Sequence, residues 1–274
     1  MQINIEDNFD DVLRKSAVGQ RLGHGALAVR SNLSIQEVRA LLSGAFNEKH
    51  LRAVGSVLKL DADKLVSMAK AEWYPEIRQI QGLKFLNTPF PAAAYEGASV
   101  NCFIVTVPQT SEAILFDTGA CPGTVLNYLE TNQLNLKALF LTHTHRDHVA
   151  AYDAILETTG CAQVYAPELE PYKDATAVRV GEVFQFGSLS VEARLTNGHS
   201  RGGMTYVLSG LEKPVAVVGD SLFCLSQGGT QQGYRAALKN NREQILSLPA
   251  ETVLCPGHGP MSTVGEELAH NPFF

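Results

Sequence analysis

Several marks of familiar protein classes are missing from this chain. Its five cysteines, Cys102, Cys121, Cys161, Cys224 and Cys255, are odd in number and scattered, with no Cys-x-x-Cys. That pattern argues against a disulfide framework and fits a reducing compartment. Cys224 and Cys255 are expected to be small buried apolar residues. No apolar run approaches the ~20 residues a membrane helix needs, so no membrane partner is expected. The N-terminus, Met1-Gln-Ile-Asn-Ile-Glu-Asp-Asn8, has neither a basic n-region nor an apolar h-region. We therefore expect no signal peptide and a cytoplasmic location. Positive charge is also scarce: 22 Lys and Arg face 28 Asp and Glu, a net charge of −6. The first 72 residues are close to neutral, so the acidity belongs to the remainder. An acidic main portion does not suggest a nucleic-acid substrate. At 274 residues the chain can form one large domain or two smaller ones.

What the chain does have is histidine in a pattern. The apolar run Ala138-Leu-Phe-Leu141 reads as a buried strand. His143, His145, Asp147 and His148 then crowd into six residues. In an extended exit from a strand, His143 and His145 project to one side, because side chains alternate with a period of two. Asp147 and His148 are expected on the turn that follows. Two imidazoles would face one point, and a carboxylate plus an imidazole a second point nearby. Neutral imidazole and carboxylate suit Zn²⁺, Fe²⁺ or Mn²⁺. Three further residues of metal-binding type follow separately: His199 in Thr196-Asn-Gly-His-Ser200, Asp220 ending Val215-Ala-Val-Val-Gly-Asp220, and His258 in Cys255-Pro-Gly-His-Gly-Pro260. Each comes after a strand-like segment and beside glycine. Five of the eight histidines fall in this pattern.

This constellation resembles the metallo-β-lactamase superfamily, and within it the glyoxalase II-type thioester hydrolases, over roughly residues 80–274. The resemblance implies an α/β fold, two facing sheets with helices outside in an αββα sandwich. It implies two divalent metal ions, with zinc the first expectation and iron or manganese the alternatives. His143, His145 and His199 would hold one ion. Asp147, His148 and His258 would hold the other, and Asp220 would bridge the two. Asp117, in Asp117-Thr-Gly119, would orient the metal loop through hydrogen bonds without ligating. A metal-bridged hydroxide would attack the carbonyl of a small thioester or ester, with Asp147 orienting the nucleophile. No serine or cysteine nucleophile is needed, and Ser200 and Ser221 read as turn and hydrogen-bonding residues. Glutathione recognition is a weaker expectation. The loop Ser221 to Thr230 lacks Lys and Arg, and the short stretch after His258 leads us to expect no C-terminal helical domain. Two other functions are compatible: a mononuclear iron persulfide dioxygenase, and a DNA-binding regulator with a metallo-β-lactamase-fold sensor domain.

The first 74 residues read as a small all-α unit, with residues 75–274 as the catalytic domain. Helical apolar spacing predicts short helices near 9–18, 25–30, 35–42, 48–58 and 61–70. Ser34 and Glu37 form a capping box, and Asp61 is a second cap. The stretch from Ala26 to Gly44 resembles a lambda-repressor-type helix-turn-helix. On that resemblance Gln36 and Arg39 are candidate DNA contacts. Glu37 and the near-neutral charge weigh against DNA as a partner. The alternative is a module that pairs two chains in a homodimer or covers the enzyme. Trp73, the sole tryptophan, is expected to pack between the two parts, and His270 to sit at the surface or cap a helix. Further on, Val183–Phe186 and Leu189–Arg194 read as a hairpin, and residues 149–156 and 232–246 as helices.

Overall fold

A computed structural model describes residues 3–76, 78–90, 98–230 and 232–274. Five helices open the chain: α1 (Phe9–Gly19), α2 (His24–Ser31), α3 (Ile35–Leu41), α4 (Glu48–Val57) and α5 (Ala62–Ala69). The predicted caps form. Ser34 Oγ accepts from the Glu37 N–H at 3.2 Å, and the Glu37 carboxylate accepts from the Ser34 N–H at 2.7 Å. Asp61 Oδ1 accepts from the N–H groups of Asp63 and Lys64. Val12, Leu13, Leu27, Val38, Leu51 and Leu65 fill the centre of this unit. Its core is shared, since Tyr234 and Phe273 from the far end of the chain pack into the same cluster. The Asp61 N–H donates to the Pro272 carbonyl at 2.8 Å. Trp73 stacks on His270 with ring centres 4.3 Å apart, so His270 is a packing partner as well as the last residue of its helix.

The remaining chain builds two sheets. The first contains β1 (Leu83–Pro89), β2 (Ser99–Thr106), β3 (Glu112–Phe116), β4 (Asn135–Phe140), β5 (Gln163–Pro167) and β6 (Thr176–Val178), side by side in that order. The pairs from β1 to β3 are antiparallel, and those from β3 to β6 parallel. The second takes β7 (Val183–Phe186), β8 (Leu189–Leu195), β9 (Met204–Ser209) and β10 (Val215–Gly219). After a small hairpin of β11 (Leu222–Phe223) and β12 (Ser226–Gln227), it adds β13 (Val253–Pro256) and β14 (Ser262–Thr263). Its spatial order is β14-β13-β10-β9-β8-β7. The hairpin of β7 and β8 turns at Gly187 and Ser188, with Phe186 opposite Leu189.

Strand alternation produces the layers. Phe103, Val105, Ile114 and Phe116 face inward and meet Val191, Tyr206, Val217 and Cys255 of the second sheet. Their neighbours Cys102, Ile104, Ala113 and Leu115 face the other way, onto α6 (Pro122–Thr131) and the helix over residues 152–159. On the second sheet Ala216, Val218 and Leu254 point outward, against Ile245 and Val264. The result is the αββα sandwich.

Two helices differ from expectation. The predicted helix over 149–156 is two: α7 (Arg146–Val149) and α8 (Tyr152–Thr159). The break follows a tether, because the Ala151 N–H donates to Thr118 Oγ1 at 3.1 Å. Asp147 and His148 therefore lie on the single turn of α7 and not on an irregular turn. The predicted helix over 232–246 is α9 (Tyr234–Asn240) followed by a π-helical turn, Asn241–Ile245. Buried Asn241 donates from Nδ2 to the Ser221 carbonyl at 2.8 Å and to Gln227 Oε1 at 3.1 Å. Widening the helix by one residue lets that side chain reach inward. The last helix is α10 (Val264–His270). Among the described residues no helix is long and apolar enough to cross a membrane.

Candidate metal centre

The sequence-predicted donors come from the ends of the central strands. The exit of β4 carries His143 and His145, and α7 carries Asp147 and His148. The loop between β8 and β9 carries His199, the end of β10 leads to Asp220, and the exit of β13 leads to His258. All seven converge, as two groups. His143, His145, His199 and Asp220 form one, and Asp147, His148 and His258 the other, with donor atoms in each group within 4.8 Å of one another.

In the first group His145 Nδ1 lies 3.0 Å from both His143 Nε2 and His199 Nε2. His199 Nε2 is 3.4 Å from Asp220 Oδ2. In the second, His258 Nε2 is 3.2 Å from Asp147 Oδ2, and His148 Nε2 is 3.7 Å from the same oxygen. Asp220 stands between the groups, 3.2 Å from His148 Nε2 through Oδ1 and 3.5 Å from His258 Nε2 through Oδ2.

Three of the imidazoles are held from outside through their other ring nitrogen. His148 Nδ1 donates to Asp117 Oδ2 at 2.8 Å. Nδ1 of His199 donates to the Gly229 carbonyl at 2.9 Å, and that of His258 to the Ser99 carbonyl at 2.7 Å. An N–H spent outward leaves a lone pair on the inward Nε2, the arrangement a cation requires. Asp117 also accepts from the N–H and hydroxyl of Thr142 at 2.7 and 2.8 Å. It thus ties β3 to the metal loop, from a left-handed backbone at φ 55° that aspartate tolerates better than most residues. The carbonyls of Gly229 and Ser99 were missed by the sequence reading, since a backbone acceptor leaves no side-chain signal.

The residues fit divalent ions. Buried His148 Nε2 and Asp220 Oδ1 meet only each other, as an ion-pair contact at 3.2 Å, and form no well-directed hydrogen bond. Unpaired buried polar atoms of this kind are costly, and a cation between the groups would satisfy both. Charge is divided in the metal-free protein. Burial pushes the His143 and His199 imidazoles below their usual range, toward the neutral form. Burial opposes charge on His148 and His258 too, but the Asp220 carboxylate, with Asp117 at His148 and Asp147 at His258, outweighs it. Those imidazoles are pushed up to about 10 and about 11. Burial likewise works against the Asp220 carboxylate, but His258 and His148 hold it well below the usual range. A divalent ion would take over the role of those imidazolium protons.

One open cleft, of about 890 Å³, includes His145 and His199 in its wall. A second cavity of about 510 Å³, lined by Tyr74, Arg78, β1 and Met261, shares no lining residue with the two groups. The first opens onto the His145 and His199 side of this centre.

Known proteins agree with this geometry. The family model of the metallo-beta-lactamase superfamily matches residues 95–258. The chain belongs to that superfamily. It is 30% identical over 220 residues to an uncharacterised protein of Mycobacterium tuberculosis, covering 69% of this chain and 97% of that one. It is 35% identical over 134 residues to a hydroxyacylglutathione hydrolase of Brucella abortus, 47% of this chain and 51% of the relative. The crystal structure of the BLEG-1 B3 metallo-beta-lactamase superposes with a TM-score of 0.59 at 28% identity, over 69% of this chain and 99% of that one. The family model leaves all five N-terminal helices uncovered.

Gln36 and Arg39 are both exposed on α3, away from the donor groups in sequence and in the cleft lining.

Proposed function

We propose that this chain is a hydrolase of small esters or thioesters that works with two divalent ions. The observation that carries the reading is the shared position of Asp220 between two complete donor groups. His143, His145 and His199 would hold one ion, Asp147, His148 and His258 the other, and Asp220 both. Such ions, zinc first among them, lower the pKa of water and polarise a carbonyl oxygen. The protein's own contribution is orientation and proton handling. Asp147 is partly exposed beside His258, so its other carboxylate oxygen, Oδ1, can align a water and take its proton. Water adds to the carbonyl carbon, the acyl–sulfur or acyl–oxygen bond breaks, and the proton passes from Asp147 Oδ1 to the leaving group. Asp117, Gly229 and Ser99 hold the imidazoles still while this happens. The complete second group favours this reading over a mononuclear iron dioxygenase, which needs the first group alone.

The test is metal analysis together with turnover. Protein stripped and reloaded with zinc, iron or manganese is assayed on S-lactoylglutathione, simple thioesters and lactones. The expected result is two ions per chain and turnover that disappears in His143→Ala and Asp220→Ala. Full activity in either variant contradicts the assignment.

A further inference from the structure

The cleft beside the donor groups has two walls from distant parts of the chain. One is the loop around His199, with Asn197, Ser200 and Arg201. The other is α1, through Arg14, Lys15 and Val18. The family model does not reach α1, so this wall is a feature of the present chain.

α1 is seated firmly. Gly19 lies so close to the ring of Tyr234 that a Cβ there would overlap it. The buried hydroxyls of Ser16 and Tyr234 are 2.8 Å apart. Lys15 Nζ donates to the Gln227 carbonyl at 3.0 Å and lies 4.8 Å from the centre of the Phe223 ring. That ring packs edge-on against His258. The stem of Lys15 runs beside Gly229, whose carbonyl holds His199. A single residue therefore separates α1 from each donor group. The loop after Asp220 has no Lys or Arg of its own, and the fold brings Lys15 to it from more than 200 positions earlier.

The charge of the walls has one sign. Arg14, Lys15 and Arg201 line the cleft, and among the described residues no Asp or Glu does. Arg14 pairs with Asp10 and Asp11, and Lys15 with Asp7, so their charge is partly offset. Arg201 is exposed, and among the described residues no carboxylate is recorded within ion-pair distance of it. It stands two positions from His199, and both line the cleft.

We propose that α1 and Arg201 make this cleft selective for acyl substrates bearing a carboxylate or other anionic group a few bonds from the scissile carbonyl. Arg201 contacts the anion, and α1 forms the opposite wall. The carbonyl part of this statement rests on the hydrolase reading; the anion site does not.

Val18 offers the cleanest perturbation. It is 52% exposed on the cleft wall, so a charge placed there disturbs no packed core. Val18→Glu, Val18→Lys and Arg201→Ala are compared with the parent on a matched pair, S-acetyl-3-mercaptopropionate and its methyl ester. The readout is the ratio of kcat/KM for the anionic over the neutral compound, which cancels any general loss of activity. The parent should favour the anion. Val18→Glu and Arg201→Ala should each lower the ratio about 5-fold or more, mainly through KM, and Val18→Lys should raise it, as expected for unit charges roughly 8 Å apart in a partly wet cleft. A ratio indifferent to all three changes overturns the proposal. Calorimetry with the unreactive thioether analogues of the same pair reads the anion site separately. If the metal-loaded protein hydrolyses neither ester, the hydrolase reading fails, yet tighter binding of the anionic thioether, weakened in Val18→Glu, still supports the anion site. Equal affinity for the two thioethers overturns it.

Discussion

Gly257→Ala is the sharpest test of how the centre is held. The φ of Gly257 lies outside the left-handed region, so alanine meets no backbone objection. Space is the only obstacle. A Cβ at this position would stand 2.1 Å from Asp220 Oδ1 and 2.5 Å from His148 Cε1, where ordinary contact begins at 3.4 Å. The backbone cannot retreat, because the Gly257 N–H donates to the Gly219 carbonyl at 2.9 Å and its own carbonyl accepts from the Asn101 N–H at 2.7 Å. The two side chains must therefore move by about 1 Å, and both are buried. Overpacking of this kind costs about 1–3 kcal/mol of stability. Misplacement of reacting groups by about 1 Å costs on the order of 100-fold in rate. The expected outcome is a folded protein that loses one ion on dialysis against buffered metal and turns over about 100-fold more slowly. Mass spectrometry of metal content, thermal melting and steady-state kinetics read the three effects. Two ions per chain, with unchanged affinity and full turnover, would refute the argument that close approach of Gly257 shapes the site.

Three further outcomes follow from single contacts. Asp117→Asn keeps the shape and the left-handed backbone but weakens the charge-assisted bond to His148 Nδ1, so metal affinity should fall about 10–100-fold without unfolding, as read by competition with a chelating dye. Tyr234→Phe removes the buried hydroxyl opposite Ser16 and should lower stability by about 1 kcal/mol in urea unfolding, with no change in metal content. Glu267 is buried at the base of the β11–β12 hairpin, accepting from the Leu225 N–H, and burial pushes its carboxyl up to about 7 from 4.5. The native state therefore keeps a proton that the unfolded state releases. Stability contributed by the neutral acid is complete below pH ~4.5 and is lost as pH rises toward ~7, by roughly 3 kcal/mol. Glu267→Gln should flatten this part of the pH–stability curve; an unchanged slope between pH 4.5 and 7 would contradict the assignment.

Much of the centre was legible along the chain. His143, His145, Asp147 and His148 announce themselves because strand periodicity and close spacing converge four donors in six residues. His199, Asp220 and His258 are readable because each ends a strand-like run beside glycine. The caps at Ser34 and Asp61 and the β7–β8 hairpin are local too, set by neighbours within four residues. Periodicity misled where a buried side chain outranked helical pattern, as Asn241 does in opening the π-helical turn.

Those local patterns determined the donor set, the strands that carry it and the family resemblance. The tertiary structure alone decided that the carbonyl of Ser99 orients His258, that the carbonyl of Gly229 orients His199, and that α1 walls the cleft. The physical reason is the same for all three. They join atoms far apart in sequence, and two of the partners are backbone carbonyls, which every residue carries and no sequence pattern marks.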